Sequence, residues 1–461
     1  MTTEATNITL ALARYAVELD LAAAPPAMAM RVKLAILDWF AVTLVGAEEP
    51  FIRQLTAYRV FEGGQPQCGL VGRDERLAAS AAALVNGTAS HAIDYDDVSF
   101  SIPGHATGPV LAAALAVAEQ TRTGGFALMQ AVLAGYETAC RIGQLVAPNH
   151  YARGFHATAT LGCFGAAAAA ARLLNLDVST TAQALGIAAI KAAGLKAAFG
   201  SSCKPLQVGE AARSGLEAAR LAEAGFDAPA DMIGHRLGFA RTHSDDFHLE
   251  AALGPPRYVP DFSVATTDPA PFDFHMETNL FKFHAACYET HAAIESALAL
   301  ARSDGFSHRD VVAITIHVNP HCDDICNIHT PTTPLQAKFS LRHTVALALA
   351  GRDTSSPAAF TSDNLACPTL MRLQALAKVV LDPTLRVPQT RVCVRLNDGR
   401  ELARHHDSSL PHADVNDLQM RLVHKFRALT QGRLPAGQAA ALEASILDLA
   451  SLGGVSALLQ R

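Results

Sequence analysis

Three polar islands interrupt otherwise apolar, helix-like sequence, and their residue types are those that move protons. The first, Asn86 to Thr107 (NGTASHAIDYDDVSFSIPGHAT), crowds His91, Asp94, Asp96, Asp97 and His105 into a loop-like stretch bounded by Gly87 and Pro103-Gly104. Carboxylates and imidazoles gathered in one segment can take and give protons near neutral pH. The competing reading is a capped, solvated loop feeding a helix that starts near Thr107. The second island, GFHAT, sets His156 at the mouth of a long small-residue helix, where a histidine satisfied by backbone is the alternative. The third, Phe199 to Gly209 (FGSSCKPLQVG), places Lys204 between glycines, just before a helix expected to start near Pro205. The chain has eight lysines against 29 arginines, so most basic positions are filled by arginine. A lysine in this glycine-rich, apolar setting fits a need for a compact ammonium with an adjustable pKa. A helix-start lysine snorkelling to water is the alternative.

A fourth cluster lies further on, at Phe281 to His291 (FKFHAACYETH) with Ala337 to Ser340 (AKFS). A helix over 284–298 would put His284, Cys287 and His291 on one face, at i, i+3 and i+7. With Ser340, these are the candidate substrate-binding residues of that region. Cys287 has apolar neighbours and no cysteine-protease signature around it, which argues against a thiolate nucleophile. The run from His321 to His329 (HCDDICNIH) offers soft metal ligands, but its spacing matches no structural zinc pattern. It is expected to be an irregular loop near a domain interface, and no metal is assigned. The chain lacks G-x-G-x-x-G after a strand, a Walker-type lysine loop, a G-x-S-x-G elbow and H-E-x-x-H. Nucleotide, acyl-serine and zincin chemistry therefore have no warrant.

The elements that must position these groups are mostly α-helical. Half of the 461 residues are hydrophobic and 17% are charged, which suits a large packed core. Alanine and leucine fill the periodic positions almost continuously to about residue 255, with helices expected over 8–20, 26–46, 107–122 and 125–147. The character changes at Gly254-Pro255-Pro256 and again at Thr266 to Pro271, where proline and polar residues replace alanine. Beyond that point, Val311 to Pro320 alternates as a strand, and Asn397-Asp398-Gly399 between two β-rich runs signals a hairpin. Helical pattern returns over 418–429 and 439–449. The expected organisation is a large all-helical domain (1–265), an inserted smaller α+β lid domain (266–408), and C-terminal helices (409–461) packing back on the first.

A net charge of −6, with no block of like charge, argues against nucleic acid as a partner. The nine cysteines are scattered rather than arranged as a disulfide scaffold, which suits reduced thiols and a cytoplasmic location. Glu4 and Arg14 spoil a signal-peptide reading of the N-terminus, and no apolar run is long enough to cross a membrane.

Taken in order, NGTASHAIDYDD, GHATGPVLAAALAVAE, GYE, GFHATATLGCFGAAAAAA, KPLQVGEAARSG, KFHAACYETH, AKFSL and NDGRE closely resemble the MmgE/PrpD family over roughly residues 10 to 430. That family includes 2-methylcitrate dehydratase, cis-aconitate decarboxylase and iminodisuccinate epimerase. The resemblance implies a helical domain with a smaller α+β lid, a homodimer, and cofactor-free chemistry on small polycarboxylates in the cleft between domains. It also implies functional roles for Asp94, His105, His156 and Lys204. The decarboxylase members carry a threonine where this chain has Val98, and a shorter aspartate-to-histidine spacing than Asp94 to His105. Their lid histidine falls at Cys287 here. Dehydration of a 2-methylcitrate-type acid and epimerisation of an iminodisuccinate-type acid are therefore favoured over decarboxylation. A catalytically inactive binding protein of the same fold is the non-enzymatic alternative.

Overall fold

The computed structural model describes residues 7–256 and 272–459. Local signals set the helix starts. Asn7 accepts a hydrogen bond from the Leu10 amide and caps the Ile8–Glu18 helix, and Pro26 opens the Pro26–Gly46 helix, where its missing N–H costs nothing. The helices Thr107–Gln120, Gly125–Val146 and Ala157–Leu173 are buried on nearly every side and form the centre of the larger unit. Their small residues let axes approach closely. A Cβ added at Gly135 would lie 2.5 Å from the Gly165 carbonyl oxygen, so the second and third of these helices touch backbone to backbone. The Cys203–Glu223 helix meets the Ala79–Ser90 helix the same way, because a Cβ at Gly209 would lie 2.2 Å from the Leu84 carbonyl oxygen.

The chain divides into two compact units, one running through Asn279 and resuming at His412, the other Leu280–Pro411. The expected limit at 265/266, with the Thr266 to Pro271 signal, lies outside the described residues. The smaller unit holds a four-stranded sheet in the order Ala377–Leu381, Val311–Val318, Gln389–Leu396, Glu401–Asp407, the first pair parallel and the others antiparallel. Gly399, at φ +89°, turns the last two strands at the Asn-Asp-Gly signal. The His291–Ala301 helix packs on those two strands. The whole is mostly α with small sheets, as the sequence predicts. Among the described residues no helix is long and apolar enough to cross a membrane.

Four local expectations are corrected. The region read as almost continuously helical contains a short antiparallel pair, Cys68–Gly69 with Arg76–Leu77. Asn86 to Ser90, read as loop, is the last turn of a helix. The expected helix over 284–298 begins only at His291, after a 3-10 turn at Tyr288–Thr290. Tertiary hydrogen bonds win there, since the Ala285 amide donates to the Thr354 carbonyl and the Cys287 amide to that of Lys338. The stretch after His321, read as irregular, is a short helix, Cys322–Cys326.

Candidate active site

Four segments of the larger unit bring the three islands together. His91 follows the Ala79–Ser90 helix, and the turn after it carries Asp94 and Asp96. His105 precedes the Thr107–Gln120 helix, His156 occupies the N-cap of the Ala157–Leu173 helix, and Lys204 is the second residue of the Cys203–Glu223 helix. The lysine was expected just outside its helix. Inside the first turn, an ammonium meets the positive end of the helix dipole, an arrangement that stability alone disfavours.

The compensating charge is Asp94, whose Oδ1 accepts from Lys204 Nζ at 2.8 Å. Asp94 itself has φ +53°, in the left-handed region that aspartate tolerates better than most residues. The same Oδ1 lies 4.0 Å from Nε2 of His105. Phe199 contacts two members of the group, edge-on to His156 at 5.0 Å and with its ring centroid 5.2 Å from the ammonium of Lys204.

Asp96, named in the first island but given no role of its own from the sequence, is the hub of the cluster. Both of its oxygens are 2.9 Å from Nδ1 of His91, and its Oδ2 is 3.3 Å from Nδ1 of His105, close but not aligned as a hydrogen bond. Burial would raise its pKa, but the neighbouring His105 and His91 outweigh burial and hold the carboxyl well below its ordinary range. His91 is pushed down to about 4 by burial, with Asp96 opposing, so it is neutral at pH 7. An ionised Asp96 facing a neutral His91 fixes the tautomer: Nδ1 carries the hydrogen and Nε2 the lone pair. That Nε2 is buried without a hydrogen-bond partner. The rings of His91 and His105 meet edge to face at 4.6 Å, and His156 lies 6.1 Å from His91.

His156 is pushed down to about 2, by burial first and then by His91, Lys204 and His105. It is a neutral imidazole whose Nδ1 has no hydrogen-bond partner. Thr158 anchors the segment that carries His105, its Oγ1 accepting from the His105 amide at 3.1 Å. Val98, at the position where the resemblance departs from the decarboxylases, is buried apolar surface with no polar atom to offer.

A clamp from the far end of the chain holds the carboxylate turn. Lys425, 1% exposed on the Val415–Thr430 helix, pairs with Asp38 Oδ1 at 2.5 Å and donates to the Tyr95 carbonyl at 2.7 Å. Its ammonium also sits 3.9 Å over the Tyr95 ring. Tyr95 lies between Asp94 and Asp96, so this contact fixes the backbone that aims both carboxylates. Asp97 turns the other way, accepting from Thr107 Oγ1 and from Asn279 Nδ2.

In the smaller unit, His284 and His291 approach with ring centroids 5.0 Å apart, although only His291 is helical. Both nitrogens of His284 are engaged, Nδ1 with Thr354 Oγ1 at 2.8 Å and Nε2 with Glu295 Oε1 at 3.2 Å. His291 Nε2 reaches the Ala286 carbonyl at 3.3 Å, and burial keeps its pKa well below the ordinary value. Ser340 caps the Leu341–Leu349 helix and donates to the Ile328 carbonyl. Cys287 is half-buried. His284, His291 and Ser340 thus have structural partners within their own unit.

The donor atoms of His91, Asp94, Asp96 and His105 are close enough together to hold a cation, but the Lys204 ammonium already faces Asp94. The cluster's chemistry is that of an anion-binding, proton-moving site: one ammonium held by Asp94, the neutral imidazoles of His91 and His156, and the buried carboxylate of Asp96 between His91 and His105.

Comparison with known proteins agrees with this character. Residues 10–252 match the MmgE/PrpD N-terminal domain and residues 284–450 the MmgE/PrpD C-terminal domain. A cis-aconitate decarboxylase of Aspergillus terreus is 26% identical over 93% of this chain and 90% of its own length. The cis-aconitate decarboxylase of Mus musculus is 26% identical over 86% of this chain and 81% of its own. A cis-aconitate decarboxylase-like protein of Aspergillus oryzae, oryM, is 29% identical over 64% of this chain, a match that spans 62% of that protein. With both domain families covering most of its length, the chain belongs to the MmgE/PrpD family.

Proposed function

We propose that this protein is a lyase or isomerase that acts on a small di- or tricarboxylate by proton transfer at a carbon next to a carboxylate. The observation that carries the reading is the convergence of Lys204, Asp94, Asp96, His105 and His156 in one cluster. A carbon beside a carboxylate is a weak acid, so charge building on that carboxylate must be neutralised while a base takes the proton. Lys204 supplies the fixed positive charge. His105, with Asp96 against Nδ1, presents Nε2 as the proton acceptor, and the imidazolium it becomes faces two carboxylates. In the abstraction step the C–H bond breaks, its electron pair moves into the carboxylate as an enediolate, and the proton goes to Nε2. His156, held neutral, donates a hydrogen bond to the substrate. Asp94 meters the charge of Lys204, and Asp96 orients the histidines.

Dehydration then needs an acid for the leaving hydroxyl, and epimerisation needs reprotonation from the opposite face. Family membership and lyase relatives support a lyase-type activity at this level. A second reading, decarboxylation of a cis-aconitate-type acid, is favoured by the printed names of those relatives. Identity of 26% leaves room for a different substrate, and Val98 stands against that reading.

The test is a panel of 2-methylcitrate, citrate, cis-aconitate and iminodisuccinate, each incubated with the protein in heavy water and followed by NMR. A new alkene signal identifies a dehydratase, deuterium uptake without net loss an epimerase, and carbon dioxide release with one deuterium in the product a decarboxylase. Silence across the panel sinks the reading and favours a binding protein.

A further inference from the structure

The smaller unit contains a second cluster that the catalytic reading does not use. Glu289, in the 3-10 turn at Tyr288–Thr290, approaches the short Cys322–Cys326 helix. One carboxylate oxygen and the two sulfurs lie within 4.8 Å of one another. The cysteines are one helical turn apart, which puts both sulfurs on the same face. Both are fully buried, and neither is in a disulfide. Oε2 of Glu289 is buried without a hydrogen-bond partner, while Oε1 lies 3.6 Å from Nε2 of His321. An orphaned carboxylate oxygen beside two thiols is costly to leave unfilled in a packed interior.

We propose that Cys322, Cys326, Glu289 and His321 form a soft-metal site, suited to tetrahedral zinc. Two sulfurs, one nitrogen and one carboxylate oxygen make a ligand set that selects zinc over magnesium or calcium. His321 is half exposed and Glu289 one-fifth, so an entry path lies on their side while the sulfurs stay shielded. In a loaded tetrahedral site with zinc–sulfur bonds of about 2.3 Å, neighbouring donors are about 3.7 Å apart, a spacing inside the 4.8 Å that spans the carboxylate oxygen and both sulfurs here. Each S–H bond that breaks is replaced by a sulfur–metal bond and releases its proton to solvent. The proposal is independent of the catalytic reading, because all four ligands lie in the smaller unit and none takes part in the proton-transfer cluster.

The test uses the full chain, stripped with a chelator and titrated with cobalt(II), which reports thiolate ligation through a near-ultraviolet charge-transfer band. One equivalent should produce that band with the visible bands of tetrahedral cobalt, and zinc should bleach both. Cys322→Ser and Cys326→Ser should each reduce the band, and Cys203→Ser, at an exposed position, should leave it intact. Glu289→Gln, which keeps both thiols and disturbs packing least, should weaken affinity about tenfold or more. A cation held instead by His91, Asp94, Asp96 and His105 would give no thiolate band. Absence of the band in the wild-type chain, its survival in both cysteine variants, or unchanged affinity in Glu289→Gln would each overturn the proposal.

Discussion

Lys204 and Asp96 divide the work of the site at the level of single residues. The ammonium of Lys204 opposes its own helix dipole and is held by Asp94, so its removal relieves a local conflict while taking away the positive charge. Lys204→Ala should therefore fold normally, by circular dichroism, and lose about 10²–10³-fold in turnover. Full turnover in that variant would take the lysine out of the mechanism. Asp96 fixes the tautomer of His91 and faces Nδ1 of His105, and Asp96→Asn offers an amide that can point a hydrogen at the wrong nitrogen. Its kcat should fall about 10³-fold or more with KM little changed, a split that a merely structural residue would not produce. Asp94, His105, His156 and Lys204 were legible because each stands out chemically in apolar surroundings. Asp96 and His91 were named in the first island without a role, since their importance rests on a mutual 2.9 Å contact and full burial, and one sequence displays neither.

The elements explain how residues so distant in sequence hold their geometry. The Val415–Thr430 helix reaches the carboxylate turn through Lys425, which joins Asp38 and the Tyr95 carbonyl in a buried set. Lys425→Met leaves Asp38 buried without its ammonium and should destabilise the protein by about 3–5 kcal/mol in urea unfolding. Pairing it with Asp38→Leu should recover most of that stability but not kcat, because Tyr95 still lacks its donor. Recovery of kcat along with stability would show that the clamp does not position the site. The sequence disclosed this helix through its apolar periodicity, as it did the helices beginning near residues 8, 26, 107 and 125. It did not disclose that Lys425 points inward, because helical period assigns faces and not partners. The expected helix from His284 failed for a related reason. Its alanines favour helix, but the tertiary bonds to Thr354 and Lys338 claim the amides first.

Across the whole molecule, buried carboxylates set the response to pH. Burial pushes Asp97 and Glu137 each up to about 7, with Thr107 and Asn279 opposing at the first and two backbone amides at the second. A carboxyl whose folded pKa is raised binds its proton more tightly when folded, so its contribution is fully present below about 4 and is lost as pH climbs to about 7. Asp96 works in the opposite sense, stabilising above the unfolded carboxyl pKa and failing only in acid. Buried histidines with lowered pKa, such as His91 and His156, contribute an opposing rise up to about 6.5, so the test is the variant: in thermal unfolding from pH 4 to 8, Asp97→Asn should remove from the wild-type profile a descending limb of at most about 1.4 kcal/mol per pH unit. An unchanged limb would mean that Asp97 is ionised in the fold. The general architecture was readable from alanine-rich periodicity and one hairpin signal, whereas the short Ala377–Leu381 strand owes its place to parallel pairing with Val311–Val318. The central claim is that the larger unit's cluster moves a proton at carbon, and its most direct test is the rate at which solvent deuterium enters a polycarboxylate turned over by the wild type, set against His105→Gln. We predict that exchange falls to background in the variant while the acid still binds; exchange continuing at the wild-type rate would contradict the account.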